Sequence, residues 1–228
     1  MSRRILTELL ARNDDHVASL DADAFADHRD GQRPPVVSVC CSDSRVSQEG
    51  MWAVDEPGFL FTAGNIGNRA SAVVDGERVL DGSVAYPICH TDTDTLAIVG
   101  HTGCGAVGAA LSAARTGEFP DEPGVRSDVE ELLPIVQRGL DDPAISADDD
   151  ASVRNQLVEY NVHEQVAFAR GSDDVSDAAV YGFVYDFHRA YGERDGTAYL
   201  VNADGERDPA TLRDLVDDDV AEHVATIL

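Results

Sequence analysis

Two short apolar runs constrain this chain more than anything else in it, because each ends in side chains able to hold a metal. The first is Val36-Val37-Ser38-Val39-Cys40-Cys41, followed at once by Ser42-Asp43-Ser44-Arg45. The second is Leu96-Ala97-Ile98-Val99-Gly100, followed by His101-Thr102-Gly103-Cys104. Continuous apolar runs of this length read as strands buried on both faces, as in a parallel sheet. In open α/β sheets, sites form beyond the carboxyl ends of the strands. The two runs are therefore expected to bring a thiol, an imidazole and a second thiol to one place.

The rest of the chain fits a sheet of this kind. Phe59–Ala63 reads as a second strand, Val180–Tyr185 as a fourth and Ala198–Val201 as a fifth, at an edge or reached by a hairpin through Asp195-Gly196. Helical patterns separate them: near Val79 to His90 with Pro87 inside, Gly103 to Arg115, Glu130 to Val136, an amphipathic Ser152 to Arg170, and a segment from Pro209. An acidic spacer covers Asp141 to Asp150. Residues Ser2 to about Asp30 also read as helical, with Ile5, Leu6, Leu9 and Leu10 in one stripe, Val17, Leu20, Ala24 and Phe25 in another, and Asn13-Asp14-Asp15 as a break between them. The fold class expected is α/β: a mostly parallel central sheet of four strands plus an edge strand, flanked by helices, with an N-terminal helical arm. No internal repeat or linker divides residues 1–228, so one domain is expected, its arm (residues 1–30) packing on the sheet domain or on a partner subunit.

Composition narrows the function. Asp and Glu number 43 against 17 basic residues, a formal net charge of -26. All the basic residues are Arg; the chain has no Lys. Such a field repels nucleic acid and anionic membrane, and neither is expected as a partner. It fits a generally acidic cytosolic protein or, as the sharper expectation, a halophile's protein, whose carboxylate surface keeps it soluble while salt screens its self-repulsion. No apolar run is long enough to span a bilayer, and Glu8, Arg12 and Asp14 interrupt any signal-peptide pattern. The expected location is the cytoplasm. Four cysteines (Cys40, Cys41, Cys89, Cys104) are too few for a disulfide scaffold of this size, so metal binding or catalysis better explains at least some of them.

Two thiolates and one imidazole suit tetrahedral zinc, and three protein ligands leave the fourth position open, as in catalytic sites. Cys40 and Cys41 are adjacent, so only one is expected to face the ion. Asp43 and Arg45 stand two residues apart, where Arg45 can hold the carboxylate by charge-assisted hydrogen bonds. Asp43 can then accept a proton from metal-bound water or become the fourth ligand itself. The Gly-rich stretch Gly100–Gly108 lacks the Lys-Ser/Thr of a phosphate loop. Cys89 reads as core; His90, His163 and His188 read as structural or exposed.

With these residues in place, the chain resembles the β-class carbonic anhydrases. Their signature, C-x-D-S-R followed by H-x-x-C, is matched by Cys41-Ser42-Asp43-Ser44-Arg45 and His101-Thr102-Gly103-Cys104. Gly31-Gln32-x-Pro34, Pro57-Gly58, Asn65-Ile66-Gly67-Asn68, Ser83-x-x-Tyr86, Asn161-Val162 and Gly182-x-x-Tyr185-Asp186 are similar to other family segments. The resemblance implies one zinc per chain on Cys41, His101 and Cys104, and it decides between the adjacent thiols in favour of Cys41. It implies Asp43 and Arg45 as a catalytic dyad, with Asp43 a fourth ligand in a closed state. The activity implied is reversible hydration of carbon dioxide to bicarbonate and a proton, by attack of zinc-bound hydroxide. Carbonyl sulfide or carbon disulfide hydrolysis on the same scaffold is the alternative, and a non-catalytic zinc-binding assembly module a weaker one. In that family N-terminal helices embrace a partner subunit, so the resemblance also implies a homodimer or higher even-numbered oligomer. One subgroup binds inhibitory bicarbonate through a Trp, an Arg and a Tyr; Ser38, Gly64 and Tyr86 stand here, so no such site is expected.

Overall fold

Seven strands occur among the described residues, 2–147 and 152–228 of the computed structural model: β1 (Val36–Cys41), β2 (Leu60–Asn65), β3 (Ser71–Val74), β4 (Glu77–Leu80), β5 (Thr95–His101), β6 (Ala179–Asp186) and β7 (Thr197–Ala203). Five of them form one sheet in the order β2-β1-β5-β6-β7. The β1–β2, β1–β5 and β5–β6 pairs are parallel, and β7 runs antiparallel along β6. This is the α/β fold expected: four parallel strands and an antiparallel edge strand. The central β1 and β5 are buried from their second residue onward, which is why their sequences run apolar without alternation. On β6 buried and half-buried residues alternate instead.

The helices are α1 (Ser2–Ser19), α2 (Gln48–Met51), α3 (Gly82–His90), α4 (Gly105–Thr116), α5 (Pro123–Leu140), α6 (Val153–Arg170) and α7 (Pro209–Arg213). Side-chain caps start several of them: Asp81 Oδ1 accepts from Ser83 N at 2.8 Å, Ser152 Oγ from Asn155 N at 3.3 Å and Asp208 Oδ1 from Thr211 N at 2.9 Å. One face of the sheet carries the main core, where Val37, Val39, Ile98 and Val180 meet Val107, Leu157, Val158 and Val162. The other face holds smaller clusters around Cys40, Ala97 and Val99 and around Leu200 and Leu212.

Several local expectations are corrected. Helix α1 runs through Asn13-Asp14-Asp15 unbroken and ends at Ser19; only a 3-10 turn at Ala26–His28 follows. Asn and Asp lower helix propensity by a fraction of a kcal/mol each, too little to force a break. Ile5, Leu6, Leu9, Leu10 and Val17 are each more than half exposed, so the stripe does not pack on its own sheet. Val79 and Leu80 belong to a strand: β3 and β4 form a separate antiparallel hairpin around Asp75-Gly76, whose φ angles of 52 and 84 suit a two-residue turn. Helix α3 therefore starts later, at Gly82, and keeps Pro87 inside it. Helix α6 is not amphipathic in the simple sense, because Asn155, Gln156, Glu159, Asn161, His163 and Gln165 are buried along with its apolar residues. The C-terminal helix is only five residues long. The end of the acidic spacer, 148–150, lies outside the described residues.

Candidate metal centre

The parallel pairing of β1 and β5 sets their carboxyl ends side by side, with Cys40 opposite Val99. Cys41 is the last residue of β1 and His101 the last of β5. The chain then turns through Thr102-Gly103 to Cys104, the N-cap of α4. Gly103 makes that turn possible: its φ is +68, and a Cβ there would lie 2.5 Å from the His188 ring. Its amide donates to Asn155 Oδ1 at 2.8 Å, so α6 ties the turn down from below.

Cys41 Sγ, Cys104 Sγ and a His101 ring nitrogen lie within 4.8 Å of one another, all three residues buried. The two sulfurs are 3.9 Å apart. Two thiolates on a tetrahedral zinc, with bonds of about 2.3 Å, would stand roughly 3.8 Å apart. His101 Nδ1 lies 3.0 Å from the Thr102 carbonyl. With the Nδ1 proton donated there, Nε2 carries a lone pair, and this buried atom has no hydrogen-bond partner. An orphaned buried imidazole nitrogen facing two thiols is the donor set a zinc ion would complete, so these residues fit the metal.

The thiols are unequal. The Cys41 sulfhydryl alongside shifts Cys104 towards the thiolate, aided by the Val107 and Ala106 amides of α4. Cys41 is pushed up by its bond with Cys104 and then by burial. Cys40 points to the opposite face beside Ala97 and Val99, and burial drives its thiol up to about 12. It takes no part in the cluster.

Asp43 stands at the rim. Arg45 donates from Nε to Oδ1 at 2.9 Å, from Nη2 to Oδ2 at 2.7 Å and from its backbone amide to Oδ1 at 2.9 Å. These bonds hold the Asp43 carboxyl well below the usual carboxylate range, against a smaller opposing effect of burial. Its Oδ2 is 3.7 Å from His101 Nε2. With both oxygens on Arg45, Asp43 lies beside the three donors rather than among them.

The remaining candidates lie elsewhere. Cys89 is exposed rather than core, and His90 is exposed. His163 is buried against Asn202. His188 Nδ1 lies 3.0 Å from Thr102 Oγ1, next to the centre but outside the donor set. A hollow of about 750 Å³ between Trp52, Phe183, Leu200 and Val216 contains none of the residues named above as donors or dyad. Sequence reading gave no role to Asp186, Phe187 or Asn155, although Asp186 closes β6, the next strand end along the sheet.

A family model described as carbonic anhydrase matches residues 36–191, which span every one of these site residues. The chain belongs to the carbonic anhydrase family. It is 32% identical over 188 residues to carbonic anhydrase 2 of Mycobacterium tuberculosis, covering 82% of this chain and 79% of that one. Among solved structures it is similar to the Coccomyxa beta-carbonic anhydrase in complex with acetazolamide: TM-score 0.60, 26% identity, 79% of this chain and 80% of that one. A tetrameric beta-carbonic anhydrase of the ascomycete Sordaria macrospora shares the fold at a TM-score of 0.70 and 17% identity, over 87% of this chain and 98% of that one. This carbonic anhydrase is an enzyme of the β class. No described helix is long and apolar enough to cross a membrane.

Proposed function

We propose that this chain catalyses zinc-dependent, reversible hydration of carbon dioxide to bicarbonate and a proton. One zinc per chain is held by Cys41 Sγ, His101 Nε2 and Cys104 Sγ, and Asp43 and Arg45 act as the dyad beside it. The observation that carries this reading is the buried, unpartnered His101 Nε2 facing two thiols. Zinc on such a donor set supplies a Lewis acid that lowers the pKa of water towards about 7. Asp43 Oδ2 accepts a hydrogen bond from the attacking water and so directs its lone pair at the substrate carbon. A carboxylate held well below its usual range is a poor proton store, so Asp43 orients rather than retains the proton, which goes on to buffer. Arg45 fixes the direction of that carboxylate through three hydrogen bonds.

The exposed apolar stripe of α1 supports assembly into a homodimer or a higher even-numbered oligomer, with residues 1–30 as an arm on the partner. On this reading, residues 1–228 act as one domain. The net charge of -26 and the absence of Lys support a halophile's protein, and the free thiols suit a reducing cytoplasm.

The test is a carbon dioxide hydration assay across a range of KCl concentrations, with zinc quantified per chain. We expect one zinc per chain, activity lost on chelation and regained with zinc, and melting temperature rising with salt. Zinc-loaded, folded protein inactive on carbon dioxide at every salt concentration would overturn the activity. Maximal stability in dilute buffer would overturn the halophilic reading.

A further inference from the structure

The loop that follows β6 is tied to the metal centre through a side chain no donor set requires. Asp186, the last residue of β6, is fully buried. Its Oδ1 accepts from Thr102 Oγ1 at 3.1 Å and from the His188 amide at 2.8 Å, and its Oδ2 from the Tyr191 amide at 2.9 Å. Thr102 Oγ1 in turn accepts from the Phe187 amide at 3.1 Å. Thr102 is also the residue whose carbonyl faces His101 Nδ1. The backbone on both sides of Phe187 is thus pinned to the residue beside His101.

This pinning puts the Phe187 ring against two members of the site at once. It stacks on the His101 imidazole, with centroids 5.6 Å apart and planes 18° from parallel. The Arg45 guanidinium carbon sits 4.7 Å from the centroid of the same ring. Tyr185 meets it edge-on at 5.9 Å, which backs the ring from the strand side. Rings at this separation attract through their quadrupoles, and a guanidinium over a ring face is attracted in the same way.

We propose that Phe187 is a positioning residue for this centre: its ring holds the His101 imidazole at the tilt that aims Nε2 between the two thiols, and holds Arg45 so that its fork stays on Asp43. The proposal rests on the zinc and dyad roles assigned above. The hydrogen bond at Nδ1 fixes one point of the imidazole and leaves its tilt free; a flat ring alongside removes that freedom. Arg45 is half-exposed, and the ring gives its guanidinium a second fixed surface besides Asp43. Partners that orient a metal ligand from outside commonly change metal affinity or activity by 10–100-fold when lost.

The test uses Phe187→Leu, Phe187→Ala and Phe187→Tyr in the full chain. Leu keeps apolar bulk without a ring face, and Tyr keeps the face. Metal affinity is read by competition with a chromophoric chelator, ligand geometry by the visible spectrum of the Co²⁺-loaded protein, and turnover by carbon dioxide hydration. We expect Leu and Ala to weaken metal binding about tenfold, shift the Co²⁺ bands and lower kcat more than they raise KM, while Tyr stays close to wild type. If Ala does not fold, the Leu and Tyr pair decides. A Leu variant with wild-type affinity and Co²⁺ spectrum overturns the proposal, because bulk alone then suffices. A Tyr variant as impaired as Leu also overturns it. Failure of the underlying zinc reading looks different: wild-type protein would bind neither Zn²⁺ nor Co²⁺ stoichiometrically.

Discussion

Gly100→Ala puts one methyl group where α6 leaves no room, next to the His101 donor. The new Cβ would lie 2.7 Å from Val162 Cγ2 and 3.0 Å from Val158 Cγ1. Carbon pairs prefer about 3.5–4.0 Å, so helix and strand must separate by roughly 1 Å. Val158 and Val162 cannot swing away: both are buried, and a β-branched side chain in a helix has essentially one χ1 rotamer. Gly182, on the neighbouring strand, has the same relation to Val162, with Cγ1 at 2.6 Å from its would-be Cβ. Overpacking of this kind costs about 1–3 kcal/mol. A domain of this size loses about 2–4 °C in Tm per kcal/mol, so the expected fall is roughly 2–12 °C. The assay is thermal unfolding by circular dichroism of metal-free protein at one fixed KCl concentration, which keeps ligand stabilisation out of the reading. A second variant isolates the cause. Val162→Ala removes the nearer of the two clashing methyls, so Gly100→Ala with Val162→Ala should be more stable than the sum of the single effects, by more than about 0.5 kcal/mol. Metal affinity should fall in Gly100→Ala and recover in the double variant. An unchanged Tm for Gly100→Ala, or strict additivity in the double variant, would refute the close-packing argument.

Asp43→Ala should leave zinc bound and lower turnover by about 10²-fold, the cost of an unoriented attacking water; full activity, or loss of the metal, would remove the assigned role. Burial, then the neighbouring Glu159 charge, raises the Tyr191 phenol well above its usual value, and its hydroxyl donates to Glu159 Oε2 at 2.7 Å. The folded chain keeps that proton where the unfolded chain gives it up. Its stabilising contribution is therefore whole below about pH 10 and declines as pH rises above it. Tyr191→Phe should cost about 1.5–3 kcal/mol at pH 8 in urea unfolding and flatten the decline above pH 10; an unchanged slope counts against this. Leu6→Glu with Leu10→Glu should turn the assembly into monomers in sedimentation velocity, with helix content retained; an unchanged sedimentation coefficient would refute α1 as the contact.

The strand ends were legible because burial and chemistry leave marks in the same residues. β1 and β5 are covered on both faces, so their sequences run apolar, and the runs stop where Cys41 and His101 end the strands. The β3–β4 hairpin left a mark too, Asp75-Gly76 between valines, but the apolar residues after it also fit a helical period. The buried polar face of α6 left none. Its partners are Gly103 N for Asn155, Gly67 O for Asn161 and Ala70 N for Gln165, all far away in sequence, and periodicity sees only neighbours. Phe187 carries no sequence mark of its role for a related reason. An aromatic residue after a strand looks like core until the ring it faces is known to be a candidate ligand.

Those invisible contacts explain how a site built partly from loop residues stays in register. Cys41 and His101 are fixed by sheet pairing, but Cys104 and Phe187 lie on segments with no ladder to hold them. Helix α6 supplies the missing constraints. Asn155 takes the Gly103 amide, one residue before Cys104. One turn on, fully buried Glu159 accepts from Tyr191 at the end of the loop that carries Phe187, and also from Thr226 and from the Ile227 amide at 2.9 Å. Each of these groups would cost about 1–3 kcal/mol if buried without its partner, so the fold is stable only when all of them are met together. An apolar α6 could pack against the sheet equally well and would tolerate the loops in several positions. The polar one accepts a single arrangement, and in that arrangement a thiol is brought to the imidazole on one side and an aromatic ring on the other.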